Sequence, residues 1–352
     1  MNETHQPLSL ARVMKVVLPL IIVAVAAYFW WSAKVHSAVR EEGASSVLPR
    51  MLGKQTAAED VSMDYADADG DLVADSPTDP AQCIAPEALV FSYVAEEEES
   101  VPEETWKELL SALAEKCGRE VRYIHYTDVD EQLSALKKGE LHLAGLNTGT
   151  VSTAVRRYGF VPICTFGNEA DRFGYTMQLL VPADSPIKSP ADIRGHKVTF
   201  TRLDSNSGFK APLVLLMNQY NLMPERDFPW GLSLGHNESI RLVANKETDV
   251  APIASDMLAR AIERGEVDPS AVRVIYESER FPPATIGYAY NLTPELRDAI
   301  RDTLLGFDWN GTGLENVFGA DVTKFVPVNY KNDWANSRRI DQVMAQVRTA
   351  NN

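Results

Sequence analysis

The sequence predicts an α/β protein of two lobes, preceded by a single membrane-spanning helix. Three observations carry this. From about residue 86, short apolar runs alternate with amphipathic stretches of helical period, the pattern of parallel sheets covered by helices on both faces. That body, residues 86–352, is too long for one open sheet, so two lobes are expected. Only one window, between Lys15 and Lys34, holds 18 consecutive uncharged residues, enough to cross a bilayer at the short end of the usual range.

That window, VVLPLIIVAVAAYFWWSA (16–33), places Tyr28, Trp30 and Trp31 where an interfacial aromatic belt lies. A cleaved leader is the competing reading. It would want small residues three and one positions before the cut, yet Trp31 stands ahead of Ala33 and His36 ahead of Ala38. With an uncleaved anchor, 1–15 is a cytoplasmic tail and all that follows lies outside the cytoplasm.

Residues 34–85 read as an acidic flexible linker outside the core. Over 36–85 there are ten Asp+Glu against three Lys+Arg and few large apolar residues. Asp67, Asp69, Asp71 and Asp75 around Gly70 hint at a calcium loop. Aligned on that glycine, however, Tyr65 takes the first ligand position and Ser76 the twelfth, which leaves too few oxygens, and no metal site is expected.

The body then runs in order. ALVFSYVA (88–95) is a buried strand, followed by a helix through ETWKELLSALAEKCG with Trp106, Leu110, Leu113 and Cys117 on its core face. EVRYIHY is a strand, DEQLSALKKG a helix, and ELHLAGL and FVPICTF are strands. YTMQLLV and KVTFT follow as strands, then a helix through APLVLLMNQY, the strand TDVAPI and a helix through MLARAIERG. VRVIY and TIGYAYN are the last strands, and LRDAIRDTLLGF the last helix assigned.

Composition excludes several classes. A net charge of −15, from 34 Lys+Arg and 49 Asp+Glu, argues against a nucleic-acid binder working by phosphate neutralisation. Three cysteines cannot staple a disulfide scaffold or build a multi-cysteine metal module. No nucleophile elbow, zinc-protease helix or P-loop is present, so neither a catalytic centre nor a cofactor is expected.

In open α/β sheets ligands bind beyond the carboxyl ends of strands. After the strand ending near Thr201 comes Asp204-Ser205-Asn206-Ser207-Gly208, then a helix with Pro212 in its first turn. Hydroxyls, an amide and unpaired helix-start N–H groups make an anion cradle, with ordinary N-capping by Ser205 or Ser207 as the alternative. His236 before one helix, Asp256 at the start of another, and Asn147, Thr148 and Thr150 after ELHLAGL occupy equivalent places. Each alone is equally consistent with a structural histidine, a dipole partner or a cap.

LDSNSGFKAP, the GHNESI…VANKETDVA…SD stretch and ESERFPP…YNLTPELRDAI resemble the phosphonate/phosphite/phosphate substrate-binding proteins of ABC transporters over roughly residues 88–310. The resemblance implies a type 2 periplasmic-binding-protein fold, two α/β lobes joined by two crossovers and closing over an oxyanion. It places the crossovers near Phe173–Val181 and Phe281–Tyr290, with 86–176 and 287–352 forming the first lobe and 177–286 the second. Ser205, Asn206 and Ser207 are implied to hold the anion together with His236. Asp256 falls where aminoalkylphosphonate binders place an acid, and Tyr93 where an aromatic residue walls the pocket. The second acid of those binders is missing, since the chain reads Pro283-Ala284-Thr285 there. The expected function is a membrane-tethered extracytoplasmic binding protein delivering phosphate, phosphite or a small phosphonate to an ABC permease. A same-fold sensor for another solute, or a phosphorus-ester hydrolase using His236 and Asp256, is the alternative.

Overall fold

The computed structural model describes residues 65–94, 101–170, 174–318 and 322–350. The anchor expected at 16–33 lies outside them, and among the described residues no helix is long and apolar enough to cross a membrane.

The first half of the body contains β1 (Leu89–Tyr93), α1 (Lys107–Cys117), β2 (Val121–Tyr123), α2 (Val129–Lys138), β3 (Leu143–Leu146), α3 (Thr148–Tyr158) and β4 (Phe160–Gly167). The chain then enters a second layer system with β5 (Tyr175–Pro182), β6 (Val198–Phe200), α4 (Ala211–Tyr220), β7 (Trp230–Leu232), α5 (His236–Ala244), β8 (Ala251–Ala254), α6 (Ser255–Glu263) and β9 (Val272–Phe281). It returns through β10 (Thr285–Ala289), α7 (Pro294–Gly306), α8 (Gly313–Phe318), β11 (Lys324–Pro327), α9 (Tyr330–Asp333) and α10 (Ala335–Ala350). The first lobe's sheet has the order β11-β4-β10-β3-β1-β2. In the second lobe β8-β5-β9 and the pair β6-β7 are linked by a parallel bridge, Val198 to Val250.

The sheets are mixed, not purely parallel as the alternation suggested. β1 pairs parallel with β2 and β3, but β10 runs antiparallel to β3 and β4, and β5 antiparallel to β8 and β9. The reason is the double crossover. Strands in βα units run toward the interlobe edge, whereas β5 and β10 start at that edge after crossing and run away from it. β5 is already paired within the second lobe at Tyr175, near the start of the expected first crossover.

Each lobe has its own core. Phe91, Trp106, Leu143 and Tyr288 are at most 1% exposed in the first, and Leu179, Phe200, Phe209 and Phe228 likewise in the second. On α1 the buried face is Leu109 and Leu113, with Leu110 half-buried, since the helix starts only after a 3₁₀ turn ending at Trp106. The three cysteines are free thiols. Burial pushes the Cys164 thiol far up, which keeps it inert.

Two sequence expectations are corrected here. Residues 65–85 are not a loose tether: Val73 is 8% exposed and packs in the first lobe's core. Tyr65 meets Tyr290 edge-on at 4.7 Å, and Ile84 bridges to Leu292. One carboxylate oxygen from each of Asp67, Asp69 and Asp71 lies within 4.8 Å of the others, and each side chain accepts a backbone N–H inside the turn. Nor does the C-terminus belong wholly to the first lobe, because Ile340 and Met344 of α10 pack into the second lobe's core. It follows that a chain starting at residue 65 melts cooperatively. One starting at 86 should melt several degrees lower, because burying a valine alone contributes about 1.5–3 kcal/mol. Equal melting temperatures would restore the tether reading.

Candidate functional site

Tyr93, Asn147, Thr148, Ser205, Asn206, Ser207, His236 and Asp256 all line one interlobe cavity of about 520 Å³. Their common origin is topological. Asn147 and Thr148 lie between β3 and the start of α3, and 205–207 between β6 and α4. His236 opens α5 after β7, and Asp256 lies in the first turn of α6 after β8. Four helix N-termini therefore face one space, and their unpaired N–H groups supply positive potential inside an acidic protein.

The cradle enters α4 through a single π-helical turn, Asn206–Lys210, an irregularity frequent at functional sites. Ser205 Oγ accepts the Gly208 N–H at 3.0 Å, so this hydroxyl caps the turn. Asn206 and Ser207 are 3% and 1% exposed. The Asn206 amide nitrogen is buried without a hydrogen bond of ordinary geometry, although it lies close enough to the Tyr175 phenol to influence its titration. Thr201 Oγ1, directly beneath Gly208, is also buried and lacks a hydrogen-bond partner. Thr201 and Asn206 both line the cavity beside the start of α4.

His236 is oriented by its backbone neighbour: Nδ1 accepts the Ala254 N–H at 3.2 Å, so the ring proton resides on Nε2. Asp256 Oδ2 accepts from Arg260 Nη2 at 2.8 Å. Tyr93 packs tilted against Trp106 and edge-on to Phe166 and Phe318. It lies over Gly145, where any Cβ would overlap its ring.

Two sequence-derived candidates join the lobes through their side chains. Asn147 donates to Asp204 Oδ2 at 2.8 Å and accepts the Thr150 N–H at 3.0 Å, while Arg202 pairs with Asp204 at 3.1 Å. Thr148 Oγ1 donates to Pro282 O at 2.6 Å and accepts from Tyr175 Oη at 3.1 Å. Tyr175 and Thr201 line the cavity, yet sequence reasoning missed both, because each sits inside a strand-like run without a local motif. Burial is the largest influence on the Tyr175 phenol and pushes it up, so it stays a donor at neutral pH.

The profile of a family described as "ABC transporter, phosphonate, periplasmic substrate-binding protein" matches residues 91–334. The chain belongs to this family. Its members are substrate-binding proteins, so the hydrolase built on His236 and Asp256 is not carried forward. The Escherichia coli (strain K12) phosphonates-binding periplasmic protein is 25% identical over 225 residues, covering 62% of this chain and 66% of that protein, just under two thirds of it. A binding-protein component of a Pseudomonas aeruginosa ABC phosphonate transporter superposes with a TM-score of 0.63 at 19% identity, covering 75% of this chain and 89% of that one. A Prochlorococcus marinus protein solved with methylphosphonate gives 0.61 at 15% identity, covering 73% and 97%. The structural likenesses establish the two-lobed periplasmic-binding-protein fold, and membership of a periplasmic substrate-binding family supports an extracytoplasmic location.

Proposed function

We propose that this family member holds a phosphorus oxyanion between its lobes and delivers it to an ABC permease, tethered to the membrane by residues 16–33. The carrying observation is the convergence of Ser207, His236 and four helix starts on one interlobe cavity. Ser207 and the Nε2–H of His236 complete the donor set, and the Asn206 and Ser207 amides are among those that a helix cannot bond internally. Tyr93 walls the anion from the first lobe. Phosphonates, phosphite and phosphate share the head that this set recognises.

No step of bond breaking is involved. Binding energy is spent on holding the closed arrangement of the lobes, which Asn147–Asp204 and Tyr175–Thr148 join at the cavity edge. Calorimetry of the purified full chain with methylphosphonate, phosphite and phosphate tests the ligand class. Stoichiometric binding of at least one is expected, and no heat with any of the three would end the reading. Retention in the membrane fraction after an alkaline wash is expected for the tether, and release would refute it.

A further inference from the structure

We propose that the phosphonate bound here carries a second anionic group, a carboxylate on a short alkyl arm, and that Arg260 of α6 and Arg264 at its C-cap read it. This rests on the phosphorus reading of the cavity. Asp256, Arg260 and Arg264 are spaced four apart, which puts them on one face of α6 and its C-terminal end. All three line the cavity.

The charged side chains among the described lining residues bear on the sign of the substituent. Among the described residues lining the cavity, Arg202, Arg260 and Arg264 face Asp204 and Asp256. Asp204 is committed twice, to Arg202 and to Asn147. Asp256 is the one remaining carboxylate among the described residues lining the cavity, and Arg260 Nη2 holds it at 2.8 Å. An ammonium group on the ligand would have to displace that guanidinium and then sit beside two of them. A carboxylate meets the opposite situation. A guanidinium has five N–H donors, and the pair with Asp256 uses only part of that fork. Arg264, one turn farther on and 55% exposed, pairs only loosely, with Glu266 at 3.9 Å.

The volume points the same way. A space of about 520 Å³ lies within the range that holds drug-sized ligands, far beyond the needs of a bare tetrahedral oxyanion. Val101, Met257, Val317 and Phe318 supply apolar wall for an alkyl arm. The ligand class is therefore a carboxyalkylphosphonate, with the phosphonate at the α4 N-terminus and the carboxylate toward α6.

The test is calorimetry of the purified full chain with phosphonopropionate, propylphosphonate and aminoethylphosphonate, which differ at the far end in charge. Phosphonopropionate should bind at least about tenfold tighter than propylphosphonate, because its carboxylate adds one charge-assisted hydrogen bond. Aminoethylphosphonate should bind weakest, because its ammonium is repelled by the same guanidinium groups. Arg260→Gln should reduce the phosphonopropionate preference over aminoethylphosphonate by at least about tenfold, since it removes one reader and frees Asp256. Arg264→Gln should reduce it in the same direction. If propylphosphonate binds but the three ligands bind equally, or aminoethylphosphonate binds best, the proposal is overturned while the phosphorus reading stands. A preference that survives both substitutions overturns it too. If none of the three binds while methylphosphonate, phosphite or phosphate does, the proposal is overturned and the phosphorus reading stands; if no phosphorus anion binds at all, both fail.

Discussion

Gly149→Ala should weaken phosphonate binding roughly fivefold to a hundredfold without unfolding either lobe. Gly149 lies in the first turn of α3, and a Cβ there would overlap the Asp204 carbonyl oxygen and approach the Asn206 backbone nitrogen to 2.9 Å. Both contacts cross the interlobe boundary. Overpacking at such a contact costs about 1–3 kcal/mol, and here the cost falls on the closed arrangement. Apparent affinity drops in proportion to the fraction of molecules able to close. The lobe cores, built on Phe91 and Trp106 in one and Phe200 and Phe209 in the other, are untouched. Calorimetry paired with a thermal melt separates the outcomes. Undiminished affinity would mean that the lobes do not need to meet along this edge.

The second large effect concerns stability. Lys210 is 2% exposed, and its ammonium donates to Gly149 O at 2.6 Å and to Asp341 Oδ1 at 3.1 Å. One side chain thus ties the second lobe to α3 of the first and to the C-terminal helix. Removing one member of a buried ion pair costs about 3–5 kcal/mol, because its partner stays behind uncompensated. Lys210→Met keeps much of the volume and loses the charge, so the melting temperature should fall by roughly ten degrees. A double variant with Asp341→Leu should recover part of the loss, since the stranded carboxylate is gone. A single variant as stable as the parent would show that the pair contributes nothing.

Much of the site was legible because its residues follow a rule of position. Asn147, Ser205, Asn206, Ser207, His236 and Asp256 all stand where a strand hands over to a helix, and the strand–helix alternation marks those places without any tertiary knowledge. Roles were less legible than places. A hydroxyl that caps, such as Ser205, and a side chain that bridges lobes, such as Asn147, look in sequence like one that awaits a ligand. Tyr175 and Thr201 escaped because strands carry no marker of which residue faces a cleft. The antiparallel β5 and β10 escaped because local periodicity holds no information about strand direction. Residues 65–85 were misread for compositional reasons: a turn so rich in aspartate is anchored by very few apolar side chains, Val73 chief among them.

The central claim is that Ser207 and His236 hold a phosphorus oxyanion. A double-mutant cycle in methylphosphonate affinity, with stability measured on the same four proteins, tests it most directly. Ser207→Ala and His236→Ala should each weaken binding about tenfold to a hundredfold, the worth of one charge-assisted hydrogen bond. Their effects should be non-additive, because both donors share one ligand. Affinities that stay at the parent value while stability falls by about 1 kcal/mol would mean that these residues serve only the fold, and would contradict the account.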